Sequence, residues 1–144
     1  MTAKLQGVSK QTKEKIKGLG KISFPKNILA LMLFGSFANE NETPLSDVDL
    51  AYLPVANGNK TKQENIDNVL YHQLAKHLAT DDITLVNLRE SPALLAFAAL
   101  QGKLLFCRNK KAFAEYKEKV LNVAPDIAQM RSDYAKNYLR ALSR

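Results

Sequence analysis

A glycine and a serine, Gly35-Ser36, stand ten residues ahead of an acidic pair, Asp47 and Asp49, in the stretch GSFANENETPLSDVDL. The glycine closes the apolar run Ile28 to Phe34 and is the residue type that lets a backbone approach a ligand closely. A turn or short helix opened by Ser36 would point backbone N–H groups with partial positive charge at a phosphate oxygen, with the serine hydroxyl as a further donor. Asp47 and Asp49 alternate with Val48 and Leu50, so an extended chain carries both carboxylates on one face, about 6.6 Å apart along the strand. Carboxylates so placed converge on hard cations, and Mg²⁺ held by one or two carboxylates plus substrate phosphates is the usual arrangement in phosphoryl and nucleotidyl transfer. Two ions about 3.5–4 Å apart would hold both the attacking and the leaving oxygen. The competing reading is a polar connection between strands with two solvated strand-end aspartates.

The elements that must position these groups alternate along the chain. A lysine-bearing helix is expected from about Ser9 to Leu19, then the apolar strand from Ile28, the Gly-Ser turn and an acidic strand from Asp47 to Leu53. Pro54 to Asn59 breaks structure. From Thr61 to Ala79, Ile66, Val69, Leu70, Leu74 and Leu78 recur at helical spacing, the pattern of an amphipathic helix packed on a sheet. A third strand spans Asp82 to Leu88, with Asp82 and Thr84 on one side and Ile83 and Leu85 on the other. Ser91-Pro92 reads as an N-cap followed by proline at the first helical position, opening a helix that Gly102 stops. A fourth strand covers Lys103 to Cys107, and the remainder from Asn109 is helical in pattern, with Pro125 ending or kinking the helix at Ala124. The fold class is therefore α/β, a small mixed sheet with flanking helices. No repeat or linker divides residues 1–144, which read as a single domain with a C-terminal helical tail over about 109–144.

Composition narrows the class. With 46% hydrophobic and 24% charged residues the chain has the make-up of a globular protein, not of a disordered one. Its net charge of +7 would concentrate a polyanion such as ATP or RNA nearby, but a basic balance alone decides little. The single cysteine, Cys107, excludes an internal disulfide and suits a reducing compartment. No run has signal-peptide or membrane-span length, so a cytoplasmic location without membrane attachment is expected.

Gly35-Ser36 with Asp47 and Asp49 resembles the G-S-x10-D-x-D signature of the polymerase-β-like nucleotidyltransferases. The similarity covers roughly Leu29 to Phe106. Because the chain holds that core and little else, it looks like a minimal nucleotidyltransferase, the MNT antitoxin of HEPN–MNT toxin–antitoxin pairs. The segment ITLVNLRESPALLAFAALQGKLLF is similar to that subfamily's strand, Ser-Pro helix start, glycine and final strand. The resemblance implies transfer of AMP from ATP to a tyrosine of a neighbouring HEPN toxin, a ribonuclease that is thereby blocked. Gly35 and Ser36 would hold the triphosphate; Asp47 and Asp49 would bind Mg²⁺. The expected partners are ATP and the toxin in a hetero-oligomer, with no direct nucleic-acid contact.

The sequence departs from this family at one point. Where a third carboxylate is expected stands Thr84, and where a further acidic residue is common stands Asn87. Asp82 shares the face of Thr84 but lies about 6.6 Å earlier along the strand; it is the candidate third catalytic acid, as metal ligand or base, beside the reading of Asp81-Asp82 as a solvated turn. Without a third acid the chain would be an antitoxin that neutralises by binding alone. Nucleotidyl transfer to a small molecule or an RNA end is a further alternative. His72 and His77, five residues apart, lack the i,i+4 spacing of a helical metal pair and are read as solvent-facing. Lys10, Lys13, Lys15 and Lys17 read as a solvated helix face. Tyr134, Tyr138, Leu139 and Leu142 form an apolar, tyrosine-bearing stripe expected to contribute to a protein interface.

Overall fold

The computed structural model describes residues 11–35, 38, 47–55 and 60–123, without the side chains of 60–65 and 123. Ser36, Lys10 and the stripe of Tyr134, Tyr138, Leu139 and Leu142 lie outside the described residues, as does the tail beyond Val123.

Four strands form one mixed sheet: β1 (Ile28–Phe34), β2 (Val48–Pro54), β3 (Ile83–Asn87) and β4 (Lys103–Cys107), in the order β3-β2-β1-β4. β1 runs antiparallel to both β2 and β4, while β2 and β3 are parallel. A parallel pair needs a crossover, and helix α2 (Lys60–Leu78) supplies it. Every residue of β1 and β2 is buried. Their near-continuous apolar runs follow from this, because helices cover both faces of the two central strands.

Residues 11–17 form helix α1 and pass into the 3-10 turn Gly18–Lys21. Ile16 and Leu19 join Ile66, Leu70, Leu74 and Leu78 of α2 against Leu31, Leu33, Val48, Leu50 and Tyr52 on one face of the sheet. On the other face, α3 (Ala93–Leu100) and α4 (Lys110–Val123) bring Phe97, Ala99, Leu100 and Val120 against Ala30, Met32, Phe34, Ala51 and Leu53. The result is a sheet between two helical layers.

Four sequence expectations are corrected. Pro54, expected to begin a break, is instead the last residue of β2. Val69, assigned to the buried stripe of α2, is 55% exposed; the packed row needs only the i, i+4, i+8 and i+12 positions 66, 70, 74 and 78. Pro92, not Ser91, is the N-cap of α3, because the Ser91 hydroxyl donates instead to the Asn87 carbonyl at 2.7 Å and closes the preceding 3-10 turn. His72 is exposed as expected, but His77 is half-buried, with its Nε2 3.0 Å from the Lys15 carbonyl oxygen, and so ties α2 to α1.

Candidate active site

β1 ends, and β2, β3 and β4 begin, at the same end of the sheet. This follows from the pairings of Phe34 with Asp49, Val48 with Ile83 and Leu33 with Lys103. The topology therefore gathers Gly35, Asp47, Asp49, Asp82 and Thr84 along one rim.

Asp49 is the best-defined member. It sits directly across from Phe34 on one side and Thr84 on the other, and only 3% of its surface is exposed. Gly35, the next residue after Phe34, has φ +74, and a Cβ there would stand 2.1 Å from Asp49 Oδ2. Both the left-handed backbone and the contact require glycine at this position. Thr84, in register with Asp49 on the neighbouring strand, is the polar side chain that favours the charged form of this carboxyl. The other oxygen, Oδ1, is buried without a hydrogen-bond partner among the described residues.

Burial pushes the Asp49 carboxyl up to about 6; the negative charge of Asp47 adds to the rise and the Thr84 side chain opposes it. A buried carboxylate with a free oxygen costs free energy unless something cationic or hydrogen-bonding completes it. Asp47, one residue before β2, is exposed. Two carboxylates, one buried and one exposed beside it, fit a Mg²⁺ ion whose remaining ligands are phosphate oxygens and water. Asp49 and Asp47 would hold that ion, and the Gly35 backbone would let a phosphate approach.

Asp82 is exposed at the start of β3, where its carbonyl accepts from the Val48 N–H at 2.9 Å. Among the described residues no three His, Cys, Asp or Glu side chains form a metal-holding group, so Asp82 is not brought into one cluster with Asp47 and Asp49. It stands on the same rim, two residues before the partner of Asp49. Thr84 stands directly across from Asp49, at the place where the family resemblance led a third acid to be expected.

Arg89 and Arg108 lie at the opposite end. Arg89 Nε donates to the Pro54 carbonyl at 2.6 Å, and Arg108 donates to the carbonyls of Ile28, Phe24 and Pro25, each at 3.2 Å. Neither is near the rim of acids.

The family model described as "Polymerase beta, Nucleotidyltransferase" matches residues 14–111 of the chain. The chain belongs to the polymerase-β nucleotidyltransferase family. The match takes in the whole sheet, both central strands and the acidic rim.

Solved structures agree on the fold. A toxin–antitoxin structure with AMP-PNP aligns at TM-score 0.59 and 20% identity, covering 88% of this chain and 98% of that one. A tri-AMPylated HEPN toxin from Shewanella oneidensis in complex with its MNT antitoxin aligns at TM-score 0.55 and 18% identity over the same shares, 88% and 98%. An MntA–HepT toxin–antitoxin structure aligns at TM-score 0.52 and 19% identity, over 88% and 97%. No curated protein matches the sequence. No helix among the described residues is long and apolar enough to cross a membrane.

Proposed function

We propose that this nucleotidyltransferase is the antitoxin of a HEPN–MNT pair and transfers AMP from ATP to a tyrosine hydroxyl of its cognate HEPN ribonuclease toxin. On this reading it is a single cytoplasmic domain that acts in a hetero-oligomer with the toxin. The observation that carries the chemistry is the buried Asp49 carboxylate, held between Gly35 and Thr84 with Oδ1 left over. The acceptor is suggested by the two solved neighbours, one containing AMP-PNP and one a tri-AMPylated HEPN toxin.

In the reaction the phenol oxygen attacks the α-phosphorus in line, the bond to the β-phosphate oxygen breaks, and pyrophosphate leaves. Mg²⁺, when bound, neutralises charge on the phosphates and withdraws electrons from phosphorus. Asp47 and Asp49 hold that charge at a fixed point of the rim, and the Gly35 backbone, with Ser36, takes the triphosphate. A tyrosine hydroxyl has a pKa of about 10, so its proton must be accepted as the bond forms; Asp82, exposed on the same rim, takes that role. Catalysis is then mostly positioning and charge neutralisation.

One observation favours a second reading, an antitoxin that neutralises by binding alone: Thr84, not an acid, faces Asp49 across the strand pair. Incubating the toxin with ATP, Mg²⁺ and each variant, then weighing it by mass spectrometry, separates the two. AMP addition by wild type, lost in the Asp47→Asn, Asp49→Asn double variant and in Asp82→Ala, is expected for the enzyme. Silencing of the ribonuclease with no mass added would leave only the binding reading.

A further inference from the structure

We infer that Tyr71 and Thr80 are positioning residues for the transfer step, which fix the turn carrying Asp82 so that its carboxylate meets the acceptor hydroxyl at one place. This rests on the nucleotidyltransferase reading, in which Asp82 takes the acceptor's proton. It explains how a carboxylate set about 6.6 Å along the strand from the expected place of a third acid can be held to that task.

Helix α2 ends in a left-handed residue. Ala79 has φ +54, a conformation that glycine usually supplies just past a helix, and the next N–H, that of Thr80, returns to the Ala75 carbonyl at 3.2 Å. A residue with a side chain keeps such a backbone only where its surroundings impose it. Here the bonds come from several elements. The Asp82 N–H donates to Thr80 Oγ1 at 3.1 Å. The Asp81 carbonyl accepts twice, from the Ile83 N–H at 2.8 Å and from the Tyr71 hydroxyl at 2.9 Å. The Asp82 carbonyl accepts from the Val48 N–H at 2.9 Å, which joins the turn to β2 at the residue after Asp47.

Both backbone groups of Asp82 are thus engaged by the chain, while its side chain is exposed at the rim. The bond from Tyr71 goes to a carbonyl that Ile83 already satisfies, so its effect is to hold the turn, not to rescue a lone polar group. Its anchor is firm, because Leu70 and Leu74, on either side of Tyr71 in α2, are fully buried in the core. Such stiffness matters for a base. A proton acceptor must stand within about 2.6–3.2 Å of the oxygen it deprotonates, and a misplacement of about 1 Å can cost about a hundredfold in rate.

AMP transfer to the toxin by the full chain, followed by mass spectrometry over time and ATP concentration, tests this through double-mutant cycles. Tyr71→Phe and Thr80→Val each remove one bond to the turn and should lower kcat about tenfold, with KM for ATP within about twofold of wild type. Thr80→Ser, which keeps the acceptor oxygen, should recover most of what Thr80→Val loses. In the Asp82→Ala background, whose residual rate is read from long incubations, Tyr71→Phe and Thr80→Val should cause no further loss, because the group they aim is gone. Melting curves check that each variant is folded. A wild-type kcat in Tyr71→Phe, or an undiminished further loss when it is added to Asp82→Ala, would overturn the inference and leave the nucleotidyltransferase reading standing. So would an Asp82→Ala variant as active as wild type, which would put the proton acceptor elsewhere. A wild-type chain that adds no AMP would overturn both.

Discussion

The two ends of the sheet treat charge in opposite ways. At the end where β1, reversed, begins and β2, β3 and β4 finish, two arginines are engaged by the chain itself. Arg108 spans the carbonyls of Phe24, Pro25 and Ile28 and lies 5.3 Å over the Phe106 ring, and Arg89 is held by the Pro54 carbonyl and the Tyr116 ring. Tyr116, whose hydroxyl burial pushes up to about 12, donates to the Leu88 carbonyl at 3.1 Å. At the other end Asp47 and Asp82 are exposed, and Asp49 keeps a buried oxygen without a hydrogen-bond partner among the described residues. The nearest exception at the basic end is Asn87, whose Oδ1 accepts from the Arg89 N–H at 3.0 Å while its buried Nδ2 finds no hydrogen-bond partner among the described residues. That is a neutral amide, far cheaper to bury than a carboxylate. Charges whose partners come from the chain hold the fold together; charges left over belong to a ligand.

The largest effect should come from closing the gap beside Asp49. Gly35→Val adds a side chain where φ is +74 and a Cβ would sit 2.1 Å from Oδ2. Since that carboxylate must turn away, Mg²⁺-dependent ATP binding should fall by more than 100-fold and stability by about 1–3 kcal/mol. Calorimetry and denaturant titration measure the two. Retention of tight Mg²⁺–ATP binding would show that Asp49 need not stand where it does.

At the opposite end the pattern should reverse. Arg108→Ala removes three side-chain hydrogen bonds to carbonyls and should cost about 2–4 kcal/mol of stability, while Mn²⁺ and nucleotide affinity in the folded variant stay within about twofold. A large fall in metal affinity would mean that the two ends are coupled through the sheet and the contrast is lost.

The acidic end was legible in outline because its signals are local. The glycine after an apolar run, the alternating aspartates and the four strand segments all lie within short windows, and the sheet bears them out. What could not be read is what depends on partners distant in sequence. Thr84 meets Asp49 only because β2 and β3 are parallel in one particular register, and register is set by the packed faces and the crossover, not by the strand's own residues. Arg89 and Arg108 bind backbone carbonyls, and carbonyls are the same in every sequence. Val69 and His77 were misplaced for a related reason: an apolar residue beside a stripe can stay in solvent, and a histidine next to the last residue of a helix can find a carbonyl on a neighbouring helix.

The smallest effect is on the stability of the metal-free protein, and it probes the free oxygen directly. The Asp49 carboxyl is raised from 3.8 to about 6 in the folded chain, so the unfolded chain releases the proton more readily than the folded one does. Below about pH 3.8 the group is protonated in both states and costs nothing; as pH rises through 6 the folded state must carry a buried charge, and stability is lost. Asp49→Asn keeps the shape without the charge. In EDTA it should therefore match wild type near pH 4 and exceed it by about 2–3 kcal/mol at pH 7.5, measured by denaturant unfolding at each pH. Saturating Mg²⁺ should erase much of the gap at pH 7.5, because the cation binds only the carboxylate and stabilises the folded state by mass action. Parallel pH profiles for the two proteins would mean that Oδ1 is already satisfied within the chain, and the acidic end would then differ from the basic one in sign alone.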